Sequence, residues 1–93
     1  MAAKVKIRVP TPLRKLTNNE ELVDVEGNTV DEALTALQSR YPGVKERLMD
    51  EKGEVRRFIL VHLNDEDIKF LQNRQTPLKN GDEISITPAI AGG

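Results

Sequence analysis

The chain has 93 residues, of which 38% are hydrophobic and 31% charged, with a formal net charge of −1, no cysteine and a single histidine. That length suits one domain whose core can form without disulfides or metal. The composition excludes thiolate chemistry and cysteine-based zinc sites, and the near-neutral charge with one tyrosine and two phenylalanines argues against wrapping or stacking on nucleic acid.

No apolar run approaches a membrane span, and no charged-then-apolar leader opens the chain, so a cytoplasmic protein without membrane attachment is expected. Residues 4–9, KVKIRV, alternate strictly. This predicts a strand with Val5, Ile7 and Val9 inward and Lys4, Lys6 and Arg8 on a solvated face. PTPLRKLTNN, with two prolines and two asparagines, predicts a loop or wide turn. EELVDVEG predicts a second strand, paired with the first as a hairpin, with Val23 and Val25 inward and Gly27 at its end.

In NTVDEALTALQSRYPG, Thr29 and Glu32 have the spacing of a capping box. Val30, Ala33, Leu34, Leu37 and Tyr41 then recur at helical spacing and form one apolar stripe, which Pro42-Gly43 ends. VKERLMDEKGE reads as a short helical turn and a charged loop. RRFILVHLN is the most apolar strand: parity places Ile59, Val61 and Leu63 inward and Phe58, Leu60 and His62 outward. NDED is expected to turn, IKFL to form a short extended piece, KNG to turn again, and DEISITP to be the last strand, with Ile84 and Ile86 inward.

One amphipathic helix must bury its stripe, and a mixed sheet with one aliphatic face accepts it. The fold class is therefore α+β: a β-grasp in the order ββαββ, a mixed sheet packed on one main helix, with the last strand central beside the first. Residues 1–88 form the domain. Residues 89–93 are expected to project as a tail of up to roughly 17 Å.

That tail, AIAGG, is the unusual feature. Glycine is roughly 7% of average composition, so a pair in the last two places arises by chance in about one chain in 200. Glycine has no Cβ to obstruct a narrow channel and adopts dihedrals that other residues avoid. A terminal carboxylate must be activated before it can donate an acyl group, commonly as a mixed anhydride with a nucleotide phosphate inside another protein. Gly93 and Gly92 suit that entry, and Ala89, Ile90 and Ala91 keep the approach slim with one apolar anchor.

The β-grasp order together with NTVDEALTALQSRYPG, VHLNDEDIKF and LKNGDEISITPAIAGG resembles the ubiquitin-like sulfur carriers, which include the small subunit of molybdopterin synthase and the thiamine-pathway carrier. ERLMD, RRF, NDED and PAIAGG are most similar to the branch that feeds cysteine synthesis from O-phosphoserine. The resemblance implies that an E1-like enzyme adenylates Gly93 with ATP and magnesium and converts it to a thiocarboxylate. It also implies a pyridoxal-phosphate (PLP) dependent synthase as sulfur acceptor and a zinc metalloprotease that releases the product. The chain itself is then no enzyme and binds no cofactor or metal.

Two other readings share the same terminus. One is a protein modifier forming isopeptides, and the other is a molybdopterin synthase small subunit that stays bound to a catalytic partner. Elsewhere, Asp65, Glu66 and Asp67 lack the spacing of a calcium loop and read as a solvated turn. His62 has no serine or cysteine at a suggestive spacing, so general acid–base work is not expected of it. Phe58, Leu60 and His62 are instead a candidate partner-binding surface.

Overall fold

The structure is a computed structural model that describes residues 2–88. The sequence's strongest alternation opens it: β1 (Ala3–Arg8) buries every second residue and pairs antiparallel with β2 (Leu22–Gly27), placing Val5 opposite Val25 and Ile7 opposite Val23. β5 (Glu83–Pro88) lies on the other side of β1 and runs parallel to it, with Ile7 opposite Ile84. β3 (Ile59–Leu63) pairs antiparallel with β5, and the two-residue β4 (Glu66–Asp67) closes the sheet in the order β2-β1-β5-β3-β4. The last strand is central and beside the first, as expected.

Helix α1 (Val30–Arg40) buries Val30, Ala33, Leu34 and Leu37 on this sheet. Its start follows the capping-box logic with one change. The Glu32 N–H donates to Thr29 Oγ1 at 3.2 Å, but the Glu32 carboxylate accepts from Asn28 N–H at 2.7 Å, one residue before the cap. Gly27 is required just upstream. A Cβ there would stand 2.8 Å from Ala33 N and 3.0 Å from Glu32 Cβ, so the hairpin can run this close to the helix only without a side chain.

Several local expectations are corrected. PTPLRKLTNN is not an open loop: Thr11–Thr17 is a 3-10 helix that buries Leu13 and Thr17 and ends on Asn18 and Asn19, both at positive φ. Two prolines suit the entry to such a turn, and asparagine tolerates the left-handed exit. Tyr41, the cap of α1, is half-buried against the core as its place in the stripe predicts, and the short helical turn expected after Pro42 is present as a second helix, α2 (Gly43–Leu48), which buries Val44 and Leu48. The turn in NDED is confined to Asn64 and Asp65, with φ of 48° and 75°, so Glu66 and Asp67 are already the return strand. IKFL is not extended: Ile68–Phe70 is a 3-10 turn capped by Asp67, and Asn73–Gln75 forms another.

Asp50 organises the loop between α2 and β3. Its Oδ1 accepts from Lys52 N–H at 2.8 Å and Glu54 N–H at 3.0 Å. The Glu54 amide is the chief reason that its carboxyl group titrates below the ordinary aspartate value. A depressed pKa means that the turn is favoured above the unfolded value and weakens as pH falls through the lower, folded one. Carboxyl NMR titration should therefore give Asp50 a midpoint below that of a blocked aspartate peptide. An ordinary midpoint would remove this constraint on the loop.

Gly27→Ala should cost about 1–3 kcal/mol through overpacking against the α1 backbone. Urea unfolding would register this as a lower midpoint with an unchanged slope. A midpoint equal to that of the parent chain would show that the helix start yields freely.

Candidate functional site

The described chain ends in the middle of the sheet. β5 pairs with β1 only as far as Ser85, opposite Arg8, but continues along β3 until Pro88 stands opposite Ile59. The exit from the domain is therefore at the start of β3. Ile84 and Ile86, both buried, hold β5 into the core, and burying each contributes about 1.5–3 kcal/mol. The predicted working residues, Ala89, Ile90, Ala91, Gly92 and Gly93, lie outside the described residues.

The sheet face opposite α1 carries the outward residues of each strand. On β1 two of the three outward cations are paired: Lys6 with Asp24 at 3.9 Å, and Arg8 with Glu21 at 3.6 Å and Glu83 at 3.0 Å. These pairs are solvent-exposed, so each is worth little in stability, but together they neutralise that end of the face. Across β5, Leu60 stands opposite Thr87. His62 lies between Ser85 on one side and Asp67 on the other. Directly opposed residues share a face, so Leu60 and His62 form a half-buried strip beside the exiting strand.

Among the described residues no side-chain hydrogen bond or ion pair joins His62 to Ser85 or Asp67, although the register sets the three in one row. The Asp67 carboxylate is engaged elsewhere, accepting from Lys69 N–H at 2.9 Å. An imidazole without an oriented partner offers no relay, so this row supports contact and not catalysis. Among the described residues no group of three or more histidine, aspartate or glutamate side chains could hold a metal ion.

Phe58 separates from its two parity mates. β3 begins only at Ile59, and Phe58 sits in the preceding turn, 52% exposed, in a recess shared with Glu46, Arg47 and Arg56. Alternation is a property of extended backbone, so parity does not carry through a turn. Sequence reasoning missed Phe70, which is 83% exposed on the 3-10 turn after β4. A three-residue period through Ile68-Lys69-Phe70-Leu71 would have directed Ile68 inward and Phe70 out, had that turn been recognised.

No described helix is long and apolar enough to cross a membrane. Comparison with known proteins extends the picture over nearly the full length. The model of the ThiS family matches residues 7–93. The chain is 37% identical over 91 residues to the sulfur carrier protein CysO of Mycobacterium tuberculosis, covering 96% of this chain and 98% of that one. Among solved structures, a chain of the Amycolatopsis orientalis BexX/CysO complex superposes with a TM-score of 0.87 at 42% identity, covering 96% of this chain and 99% of its own. The small archaeal modifier protein 1 of Methanosarcina acetivorans superposes with a TM-score of 0.87 at 30% identity, covering 100% and 99%.

A charge at Leu60, as in Leu60→Glu, should leave the fold intact because the residue is outside the core, yet weaken association with a protein that grips the domain beside its C-terminus. The loss expected for an interface position is about 1 kcal/mol or more, roughly fivefold or greater in Kd. Unchanged affinity would remove Leu60 and His62 from the contact surface.

Proposed function

The chain belongs to the ThiS family of ubiquitin-like β-grasp proteins, and on that premise we propose that it is a sulfur carrier whose reactive centre is the Gly93 carboxylate. The observation that carries this reading is a final strand held in the middle of the sheet and followed by a glycine-terminated segment. Likeness to a sulfur carrier protein over almost the whole chain supports it.

The chemistry follows from the carboxylate. Attack of a Gly93 oxygen on the α-phosphorus of ATP, in an E1-like partner, releases pyrophosphate and leaves an acyl adenylate. A sulfur nucleophile then displaces AMP at the carbonyl carbon and, once its own sulfur link to the donor is cleaved by reduction, leaves a thiocarboxylate. The domain supplies the grip, and Ala89, Ile90, Ala91 and Gly92 the slender approach. ATP, magnesium, PLP and zinc belong to the partners: the activating enzyme, a PLP-dependent cysteine synthase acting on O-phosphoserine, and a zinc metalloprotease that frees the product. The likeness to a CysO chain solved in complex with BexX supports a carrier that works by docking onto enzymes.

The closeness to an archaeal modifier protein favours a second reading, in which the same activated carbonyl is captured by lysine amines. The two part at the product. Incubation with the cognate activating enzyme, ATP and a sulfur donor should raise the intact mass by the difference between one sulfur and one oxygen, and deletion of Gly93 should abolish this. Reductant-resistant conjugates of higher mass, without the sulfur increment, would establish the modifier reading instead. A chain that acquires neither under these conditions would defeat both.

A further inference from the structure

A second recess of about 520 Å³ opens on the other side of β3 from β5. Ile59 and Val61 contribute to its floor, and Arg56, Arg57, Lys69 and Arg74 stand around it. Two carboxylates, Glu54 and Asp67, share the lining, so four cations face two anions in a chain whose overall charge is −1.

The cations are left available. Of the four, only Arg74 approaches a carboxylate, Asp31 at 3.4 Å, and it also donates to Gly53 O at 2.9 Å. Arg56 donates through Nε to the Glu46 carbonyl at 3.0 Å, a neutral acceptor. Among the described residues, the ion pairs of the domain involve Lys6, Arg8, Arg14 and Arg74, so none involves Arg56, Arg57 or Lys69. Asp67, the nearest carboxylate in sequence to Lys69, is committed to that residue's backbone N–H. The contrast with Lys6 and Arg8 on β1 is direct: each of those has an acidic partner, and here three of the four cations stand around an apolar-floored recess without one.

Position gives the recess its meaning. Ile59 is at once part of the floor and the residue opposite Pro88, the last described residue of β5. Any protein that draws in the C-terminus must close over this end of β3. The geometry points to the Arg56–Arg57–Lys69–Arg74 recess as a docking surface for an acidic, partly apolar segment of the protein that receives the tail, an inference that rests on the carrier reading above. Guanidinium forks match carboxylates in pairs, and a locally positive surface on an otherwise slightly acidic domain steers approach so that the tail end arrives first. The contribution is to encounter and orientation and not to chemistry, so it acts on kcat/KM at limiting carrier and falls with salt.

Arg57 and Lys69 are exposed and make no side-chain hydrogen bond among the described residues, so Arg57→Glu combined with Lys69→Glu changes the field without removing a structural contact. Lys15→Glu with Lys79→Glu, also exposed, makes the same change in net charge elsewhere. With the E1-like enzyme of the same genome, ATP–pyrophosphate exchange driven by the recess variant should lose about tenfold in kcat/KM at low salt, with a flatter salt dependence and unchanged kcat. The control pair should behave as the parent chain. Equal losses in both variants, or none in either, would overturn the docking surface.

A second arm does not need the carrier reading. A blocked hexapeptide of alternating glutamate and isoleucine, titrated into the isotope-labelled full chain, should shift amides within residues 56–59 and 67–74, and the recess variant should abolish this. Shifts spread equally over Lys15 and Lys79, or absent altogether, would overturn the recess as an acidic-segment site. Failure of the parent chain to support any exchange, with the peptide response intact, would count against the carrier reading and not the recess.

Discussion

The structure depends on where β5 sits. A C-terminal strand could have been placed at a sheet edge, where fraying is cheap. Here it is inserted between β1 and β3, parallel to one and antiparallel to the other, with Ile84 and Ile86 in the core. Hydrogen bonds on both flanks and two buried isoleucines oppose any pull on the terminus. The turn before the strand is fastened as well. Asn80 Oδ1 accepts from Lys4 N–H at 2.8 Å, and Gly81, at φ +90°, donates to Lys4 O at 2.9 Å. The Asn64 amide adds two bonds from the other side, to the Asp82 carboxylate at 2.9 Å and from Glu83 N–H at 3.0 Å. A segment following such a strand can be handled by another protein without unravelling the domain.

The register then determines what neighbours the exit. β1 stops at Arg8, three residues short of Pro88, whereas β3 runs alongside to the end. That offset places the Leu60–His62 strip on one face of the last residues of β5 and the cationic recess beyond the far edge of β3. Two chemically different surfaces thus converge on one end of the molecule. The strip, near-neutral and half-buried, suits close packing, and the recess suits long-range attraction that survives imperfect alignment.

Much of this was legible in the chain because alternation and helical period are strong signals when one face is dry. Val5, Ile7, Val23, Val25, Ile59, Val61, Ile84 and Ile86 all occupy the inward positions that their parity predicts. The 3-10 segments were not legible. A turn of three to seven residues has too few repeats to show a period, and prolines and asparagines announce a change of direction without saying what the backbone does in between. Phe58 failed for a related reason: its parity matches Leu60 and His62, but the strand had not yet begun. The recess was invisible because Arg56 and Lys69 are thirteen positions apart and meet only when the 3-10 turn after β4 folds back along β3.

Charge placement on this domain carries more information than net charge. A formal value of −1 suggests a surface without electrostatic preference. Yet Lys6 and Arg8 on β1 each have an acidic partner, and three of the four cations beside the exit have no carboxylate within 4.0 Å among the described residues. Acid stands close by for two of the three, since Glu54 and Asp67 line the same recess. Asp67 instead caps the 3-10 turn through the Lys69 amide, so local backbone geometry directs the carboxylate to the turn and not to the ammonium of the lysine beside it. Folding the turn after β4 therefore fixes where the Asp67 charge stands, and the four cations of the recess still outnumber its two carboxylates.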